Sequence, residues 1–336
     1  PSSIREAIAR FFEANPNPKG DLAGRISEWL DGKRRDVARG ITLAATGVGA
    51  REGSPCYTIS DCGEGQTPDL MPKTFLSLTK GESNKVRIPF VQGKFNMGGT
   101  GVLKFCGGLY RFQLIVSRRN PRLLKDSTNS SDDQWGFTIV RREDPPDGSR
   151  SSTYTYLAPL NVSSQPHQGG VLRFFAEELP IFPDKEQPYA RKSAWGTLIK
   201  LYEYSSSKAY SNSHILMKDG LFSRIDLLLP EVGLPIRFHE CRKKYTEDKG
   251  HKGSFDTTLT GIGVRLSDDR QDNIELGFPS ASRINVQNEA IGVKIYAFKR
   301  GKADAYKKNE GIIFTVNGQT HGHITTDFFR RVKVGM

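Results

Sequence analysis

Short stretches of the chain are rich in β-branched and aromatic residues and are bounded by glycine, proline and polar residues, a pattern typical of strands. In the first part of the chain this pattern predicts strands at 41–46, 56–60, 112–117, 135–141, 153–157 and 196–202. In the second part it predicts strands near 235–239, 258–266, 292–298 and 311–316. The pattern therefore indicates a strand-rich protein.

Helices are predicted where apolar residues recur at helical spacing. The first covers residues 4–14, with Ile4, Ile8, Phe11 and Phe12 as its apolar positions, and it stops before Pro16, which lacks a backbone donor. Further helices are predicted at 21–31, from residue 102 as a buried helix, at 215–228 and at 325–331.

The order of these elements divides the chain into two parts. Serine-rich segments at 205–207 and 211–213 mark a boundary, and 336 residues are enough for two domains with their own cores. We therefore expect one domain at 1–205 and a second at 206–336, the second truncated at its C-terminal end. The order helix, strands, helix, strands indicates the α+β class, with the strand-rich second half as a separate module.

Composition argues against several classes of protein. No apolar stretch approaches the roughly 20 residues of a membrane-spanning helix, and no signal-peptide pattern is present, so we expect no membrane contact and a cytoplasmic location. The four cysteines form no C-x-x-C pair and the six histidines do not cluster with them, which disfavours a zinc site and indicates reduced thiols. The net charge of +12 favours polyanionic partners such as nucleic acid, and it is equally an ordinary soluble surface.

A candidate binding motif, Asp61-Cys62-Gly63-Glu64-Gly65, comes at the end of a predicted strand. The Asp61 carboxylate can accept a hydrogen bond from an exocyclic amine, and the two glycines let the backbone pass close beneath a flat base. By itself, the motif is also compatible with a plain turn.

A second glycine-rich segment, 93–101, leads into the apolar residues from 102 onward. Glycines before a helix expose backbone N–H groups at the positive end of the helix dipole, which suits a phosphate. The segment lacks the Gly-Lys-Ser/Thr ending of a Walker A loop and the setting of a dinucleotide-binding motif. Hydroxyl and cationic side chains between the two motifs suit phosphate or a solvated loop, and they are Ser77, Thr79, Lys80, Ser83, Asn84 and Lys85.

The order of these motifs resembles that of the GHKL ATPase superfamily, which includes gyrase, a heat-shock chaperone, histidine kinases and MutL. The matching elements are the Asp61 motif, the Ser/Thr/Lys lid, the 93–101 turn and Gly196-Thr197 on a late strand, over roughly residues 1–205. The lid (residues 76–80) and the glycine box (residues 93–98) are most similar to those of the chaperone branch. The resemblance implies a Bergerat-type α/β sandwich followed by a smaller, β-rich, transducer-like α+β domain.

The resemblance also implies roles for individual residues. It implies ATP as the ligand, with Asp61 binding adenine N6, Thr197 supporting it, and Gly63 and Gly65 shaping the floor beneath the base. It implies that the lid and the glycine turn hold the phosphates, through Thr79, Lys80, Ser83, Asn84, Lys85, Gly93, Lys94, Phe95, Asn96, Met97, Gly98, Gly99, Thr100 and Gly101.

The first motif of the family is a helix with a Glu that activates water and, four residues later, an Asn that holds Mg²⁺. Residues 6–14 fit this frame with Glu6 as the general base, but Arg10 occupies the Asn position. An arginine can contact phosphate and cannot ligate Mg²⁺, since it has no lone pair to donate. Three alternatives stay open: Glu6 and Arg10 form a surface pair, Glu13 and Asn17 form the motif, or the motif lies upstream of residue 1.

In the second domain, Asn317-Gly318-Gln319-Thr320 follows a predicted strand. Gly318-Gln319-Thr320 resembles the loop by which transducer domains reach the γ-phosphate, so Gln319 is the implied donor, although His321 stands where a lysine is expected. Asn-Gly is also the commonest hairpin turn signal, and both interpretations stay open.

Two functions are compatible with these features. The first is an ATP-dependent switch in which ATP and Mg²⁺ close the lid, the transducer loop docks, and Glu6 assists hydrolysis. The resemblance implies that ATP closure goes with homodimer formation. The second is a nucleotide sensor that does not hydrolyse ATP and whose basic surface binds nucleic acid or a protein partner. Arg10, in the position of the magnesium-binding Asn, favours this second function. Turnover requires magnesium, so metal dependence distinguishes the two functions.

Overall fold

A computed structural model of the chain describes most of the sequence. The described residues are 6, 8, 26–47, 54–77, 97–107, 111–124, 129–145, 147–160, 170–182, 191–205, 214–216, 220–242, 245, 255–303, 306 and 310–331. Within the first predicted helix, Glu6 and Ile8 are described, and both are helical.

The secondary structure alternates many short strands with a few short helices. The strands are β1 (Ile41–Thr46), β2 (Cys56–Asp61), β3 (Phe112–Arg118), β4 (Trp135–Glu143), β5 (Thr153–Tyr156), β6 (Leu172–Phe174), β7 (Leu179–Phe182), β8 (Arg191–Ser193), β9 (Gly196–Leu201), β10 (Ile236–Glu240), β11 (Asp256–Leu259), β12 (Ser280–Val286), β13 (Glu289–Ile295), β14 (Gly311–Val316) and β15 (Gln319–Thr325). The α-helices are α1 (Asp31–Ala38), α2 (Met97–Gly101), α3 (Leu221–Leu228), α4 (Ile262–Asp268), α5 (Arg270–Asn273) and α6 (Thr326–Arg331). Short 3₁₀-helices lie at Ile26–Glu28, Met71–Lys73, Val102–Phe105, Pro121–Leu123 and Ser130–Asp133.

Among the described residues, nine strands form one mixed sheet in the order β11-β10-β1-β2-β9-β3-β4-β5, with β6 paired to β4. β1 and β10 are parallel, whereas β2, β9, β3 and β4 pair antiparallel with their neighbours. β10 and β11 come late in the sequence and still complete the sheet that the earlier strands build. The chain is thus an α+β protein around a large mixed sheet.

The two faces of this sheet are covered differently. Side chains alternate along a strand, so the odd-numbered residues of β2, β3 and β9 lie on one face, which we call the helical face. There Ile115 and Leu201 share a buried cluster with Met71 and Leu103, which belong to two of the 3₁₀-helices. Gly136 of β4 makes room for this layer, because a Cβ at that position would lie 2.7 Å from the Met71 sulfur.

The opposite face carries the even-numbered residues of these strands, and we call it the hairpin face. The β7–β8 hairpin is tied to it by Arg118, the last residue of β3. The Arg118 guanidinium donates from Nη1 to the carbonyl oxygens of Ala176, Glu177 and Ala194, each at 3.0 Å. It also forms an ion pair with Asp133 at 2.9 Å, so one side chain joins the sheet to both ends of the hairpin segment.

The chain separates into two compact units. The first includes Leu30–Ser223 and Gly233–Leu259, and the second includes the described parts of Gly24–Trp29, Arg224–Val232 and Thr260–Met336. This division differs from the sequence-based boundary between 205 and 206, because β10 and β11 hydrogen-bond into the large sheet of the first unit.

The second unit has a core of its own. Ile262, Leu266, Ile274 and Tyr306 form a buried cluster, packed against by Phe278 and other aromatic residues. Two antiparallel hairpins, β12–β13 and β14–β15, belong to the same unit.

One predicted strand is wrong beyond its first residues. The strand predicted at 258–266 ends at Leu259, and α4 begins at Ile262. Gly261 separates them with φ +87°, and a Cβ there would lie 2.5 Å from the Pro230 carbonyl oxygen, so the chain turns sharply at this glycine. Buried Ile262 and Leu266 are spaced for one helix face.

Helix boundaries also differ from the predictions. Of the helix predicted at 21–31, residues 21–25 lie outside the described residues. In the described remainder a 3₁₀-helix covers Ile26–Glu28 and α1 begins at Asp31. The helix predicted from 215 begins at Leu221. No helix in the described part of the chain has both the length and the apolar character needed to cross a bilayer.

Candidate functional site

Asp61 and Thr197 lie side by side at one end of the large sheet. β2 and β9 are antiparallel neighbours, and their register places Asp61 directly opposite Thr197 on the helical face. Such pairs have Cβ atoms about 5 Å apart. Two residues that the sequence argument linked only by motif order are therefore spatial neighbours.

Ser117, which the sequence analysis missed, completes this cluster. It is fully buried at the end of β3, directly opposite Thr197 on the other side of β9. Its hydroxyl oxygen lies 3.1 Å from the Thr197 hydroxyl oxygen, donates to the Gly196 carbonyl oxygen at 3.1 Å, and accepts from the Gln66 backbone N–H at 2.9 Å. Ser117 thus fixes both Thr197 and the loop that follows Asp61. We call Asp61, Ser117 and Thr197 the polar cluster.

The loop after Asp61 is held by its own backbone. The Gly63 N–H donates to Asp61 Oδ1 at 2.9 Å, which closes a local turn of the kind that aspartate favours. Gly65 has φ +61°, and a Cβ there would lie 1.9 Å from the Arg118 carbonyl oxygen. Chain packing alone therefore requires glycine at 65, and the role of Gly63 and Gly65 beneath a base stays a prediction.

An apolar surface adjoins the polar cluster on the helical face. Ile59 and Ile199 are opposite each other in the same register, two residues along their strands from Asp61 and Thr197. Ile59 is 38% exposed although β2 lies between β1 and β9 within the sheet. The helical face is therefore open at this point, with acceptor and hydroxyl groups at one edge of an apolar floor.

The glycine segment also reaches the helical face. Gly98, Gly99 and Gly101 lie in the exposed helix α2, and a Cβ on any of them would meet no atom of the described residues within 4 Å. The adjoining 3₁₀-helix places Leu103 in the buried cluster of the helical face, and Thr100 is only 8% exposed. Packing of the described chain gives no reason for three glycines here, although glycine weakens a helix by about 0.5–1 kcal/mol relative to alanine.

Gln319 lies in the second compact unit, at the start of β15. Asn317 and Gly318 have φ of +49° and +77°, and Val316 pairs with Gln319 across them. Positive φ at both central residues is the signature of a tight hairpin turn, so the turn interpretation of Asn-Gly is confirmed. The Gly318 carbonyl accepts from the Glu231 N–H at 3.2 Å, which holds the turn against its own unit. Contact of Gln319 with phosphate stays a prediction.

Most of the remaining predicted site residues are not among those that the structure describes, so their roles stay predictions. Glu6 is helical and exposed, whereas the remaining lid, glycine-box and first-motif positions fall outside the described residues. These positions are Arg10, Thr79, Lys80, Ser83, Asn84, Lys85, Gly93, Lys94, Phe95 and Asn96.

Comparison with known proteins gives no family for this chain, since no protein-family model matches it and no curated sequence is significantly similar to it.

Proposed function

We propose that the chain binds ATP on the helical face of its sheet, in a pocket of the GHKL type. The observation that carries this proposal is the polar cluster of Asp61, Ser117 and Thr197 at the edge of an apolar floor formed by exposed Ile59 and half-buried Ile199. A flat base needs an apolar surface of this kind, together with polar groups placed to read one edge.

The chemistry of the polar cluster favours adenine over guanine. A carboxylate accepts hydrogen bonds, and the adenine C6 position carries an amino donor, whereas guanine carries a carbonyl acceptor there. Asp61 would accept from the adenine amino group, and the Thr197 hydroxyl, oriented by Ser117 at 3.1 Å, would bind an adjacent ring nitrogen or a water molecule.

The glycines of α2 support the phosphate part of the proposal. Their missing side chains leave the backbone accessible, and N–H groups at the start of a helix suit an anion. Magnesium, when bound with ATP, would neutralise part of the phosphate charge. Lys80, Lys85 and Lys94 supply cations between and within the two motifs.

We further propose that nucleotide binding acts as a conformational switch. Glu6 would accept a proton from the water that attacks the γ-phosphate, Gln319 would contact that phosphate, and closure would favour a homodimer. The competing proposal is a nucleotide sensor without turnover that binds nucleic acid or a protein through its basic surface. Arg10 at the position of the magnesium-binding Asn favours the sensor.

A titration with a fluorescent ATP analogue, with and without magnesium, tests the binding proposal. We expect saturable binding to the wild-type chain and at least about tenfold weaker binding to Asp61→Asn, because a charge-assisted hydrogen bond is lost. Unlabelled ATP should displace the analogue more effectively than GTP. Magnesium-dependent phosphate release, abolished in Glu6→Gln, would favour the switch over the sensor.

Asp144→Asn is the matched control. Asp144 follows β4 at the opposite end of the sheet and pairs with Arg111, so its loss removes the same charge far from the polar cluster. Equal affinities of the two Asn variants, or no saturable binding by wild type at millimolar nucleotide, would refute the pocket.

A further inference from the structure

A second candidate binding site lies on the opposite face of the sheet. A cavity of about 480 Å³ separates the hairpin face from the β7–β8 hairpin, and we call it the hairpin slot. Leu198 and Lys200 of β9 line it, beside Leu114 and Val116 of β3. Lining residues occur along β9 and just beyond it, from 196 to 202. At about 3.3 Å per residue in a strand, the slot is therefore about 20 Å long.

Most of the slot is apolar. Trp135, which is 2% exposed, closes one side, and Leu179 and Ile181 of β7 form the cover. Ile181 also packs against Ala44 of β1, so the cover extends across the sheet. A cavity of this volume and lining is within the range of small-molecule sites.

Lys200 lies in this apolar slot and has no counter-charge among the described residues. Its ammonium nitrogen lies 5.1 Å from the centre of the Tyr202 ring, and it forms no ion pair within the described part of the chain. Among the described lining residues, the one carboxylate is that of Asp61, at the other end of the slot. A half-buried ammonium group among apolar walls is stabilised by an anion.

Two buried polar atoms of lining residues add to this pattern. Thr46 Oγ1 and Trp195 Nε1 have no hydrogen-bond partner in the described chain, and unpartnered buried groups are uncommon in folded proteins. Thr46 is opposite Cys56 in β2, and Thr58 of β2 is opposite Lys200, so Thr46 lies at the Lys200 end of the slot. Trp195 precedes β9 and lies at the other end.

We propose that the hairpin slot binds an elongated amphipathic carboxylate. The carboxylate group pairs with Lys200 and Thr46, and the apolar chain lies along Leu114, Val116 and Leu198. A cation would be repelled by Lys200, and a neutral chain would leave that ammonium group without an ionic partner among the described residues. Lys200 and Thr46 lie on the face opposite the proposed adenine pocket, whereas Asp61 and Thr197, at the other end of the slot, also belong to the polar cluster. The carboxylate end of the proposed ligand does not involve these two residues, so the proposal is tested without nucleotide.

Calorimetric titration of the full chain with decanoate, without nucleotide, tests this proposal. We expect a single saturable site, with decan-1-ol binding at least about tenfold more weakly because it lacks the charge. Lys200→Met keeps an apolar side chain of similar length and should weaken decanoate binding by a similar factor.

Two further variants complete the experiment. Lys104→Met removes an exposed cation from the 3₁₀-helix on the helical face and should bind decanoate like the wild type. Leu198→Phe fills the slot without changing its charge and should weaken decanoate and decan-1-ol alike. The proposal is overturned if wild type shows no saturable binding at millimolar decanoate, or if Lys200→Met and Lys104→Met bind equally well while both remain folded.

Discussion

Gly65 and Gly98 belong to the two motifs of the candidate site, and the folded chain constrains them in opposite ways. Gly65 has φ +61° and faces the Arg118 carbonyl oxygen, which a Cβ would approach to 1.9 Å. Gly98 lies in α2, and within the described part of the chain a Cβ there would meet no atom within 4 Å. Packing against Arg118 therefore requires glycine at 65. The described residues do not require glycine at 98, and a bound phosphate would account for it.

We therefore expect opposite effects of alanine at the two positions. Gly65→Ala should lower the free energy of unfolding by about 2 kcal/mol or more, because strain and a backbone clash combine. Gly98→Ala should raise it by about 0.5–1 kcal/mol and yet weaken binding of the ATP analogue. Urea denaturation and the fluorescence titration measure the two quantities. A Gly98→Ala variant with unchanged nucleotide affinity would argue against α2 as a phosphate cradle.

We expect His214 to make the stability of the first unit depend on pH. Its ring packs edge-to-face on Tyr245 and Phe255, with centroids 5.2 and 5.1 Å away, and its Nδ1 accepts from the Leu216 N–H at 3.2 Å. Burial lowers the pKa of His214 below its usual value, although nearby Glu240 acts in the opposite direction. The unfolded chain therefore binds the proton more tightly than the folded one.

The contribution of His214 to stability should be complete above the ordinary histidine pKa of about 6.5 and lost progressively as pH falls below it. We expect the urea midpoint to fall between about pH 7.5 and about pH 5.5, on either side of that value. His214→Gln should flatten this dependence. His321→Gln, which changes an exposed histidine of β15, should retain the wild-type slope, and an equal loss of slope in both variants would contradict the assignment.

The site residues that could be predicted from the sequence are those that belong to a recognisable motif. Asp61 could be chosen because glycines follow it at fixed spacing. Ser117 could not be chosen, because a serine at the end of an apolar strand is typical of any strand that enters a loop. Its importance comes from contacts with Thr197 and Gln66, which are distant in sequence and depend on strand order.

Arg118 is one of the contacts that hold the β7–β8 hairpin to the sheet. Three backbone carbonyl groups and Asp133 accept from this one guanidinium group, which is largely buried. Bonds to a charged donor contribute about 1.5–3 kcal/mol each, so their loss should release the hairpin before it affects the sheet.

We expect Arg118→Met to raise amide hydrogen exchange in β7 and β8 by at least about tenfold, with β2 and β9 little changed. Arg141→Met, which removes a half-exposed arginine of β4 paired with Glu143, is the control and should exchange like the wild type. Uniform acceleration in all four strands would show that Arg118 supports the whole sheet. Unchanged exchange in β7 and β8 would show that it does not hold the hairpin.

At the level of elements, the central strands were predictable and the short or irregular ones were not. β1, β3 and β4 are long enough for their apolar pattern to be distinctive. β6 and β8 have three residues each, which is too few positions to show alternation. At 258–266 the apolar pattern predicted one strand. The chain instead turns at Gly261, whose φ is positive, and continues as a helix.

The large sheet is a product of the whole chain. β1 pairs with β2 on one side and with β10 on the other, so residues from both halves of the sequence form one hydrogen-bonded layer. Phe238 and Glu240 of β10 are fully buried. No local sequence pattern predicts such a pairing, because β1 and β10 lie far apart in the sequence.

The position of β10 leads to a test by truncation. A fragment ending at residue 205 keeps the proposed nucleotide motifs but lacks β10 and β11, which leaves the backbone groups of β1 that face β10 unpaired. We expect this fragment to aggregate or to show no cooperative urea transition, whereas a fragment ending at residue 259 should unfold cooperatively and bind the ATP analogue. Circular dichroism and gel filtration distinguish the two states. If the shorter fragment folded and bound nucleotide as well as the longer one, β10 and β11 would be dispensable additions to an already complete domain.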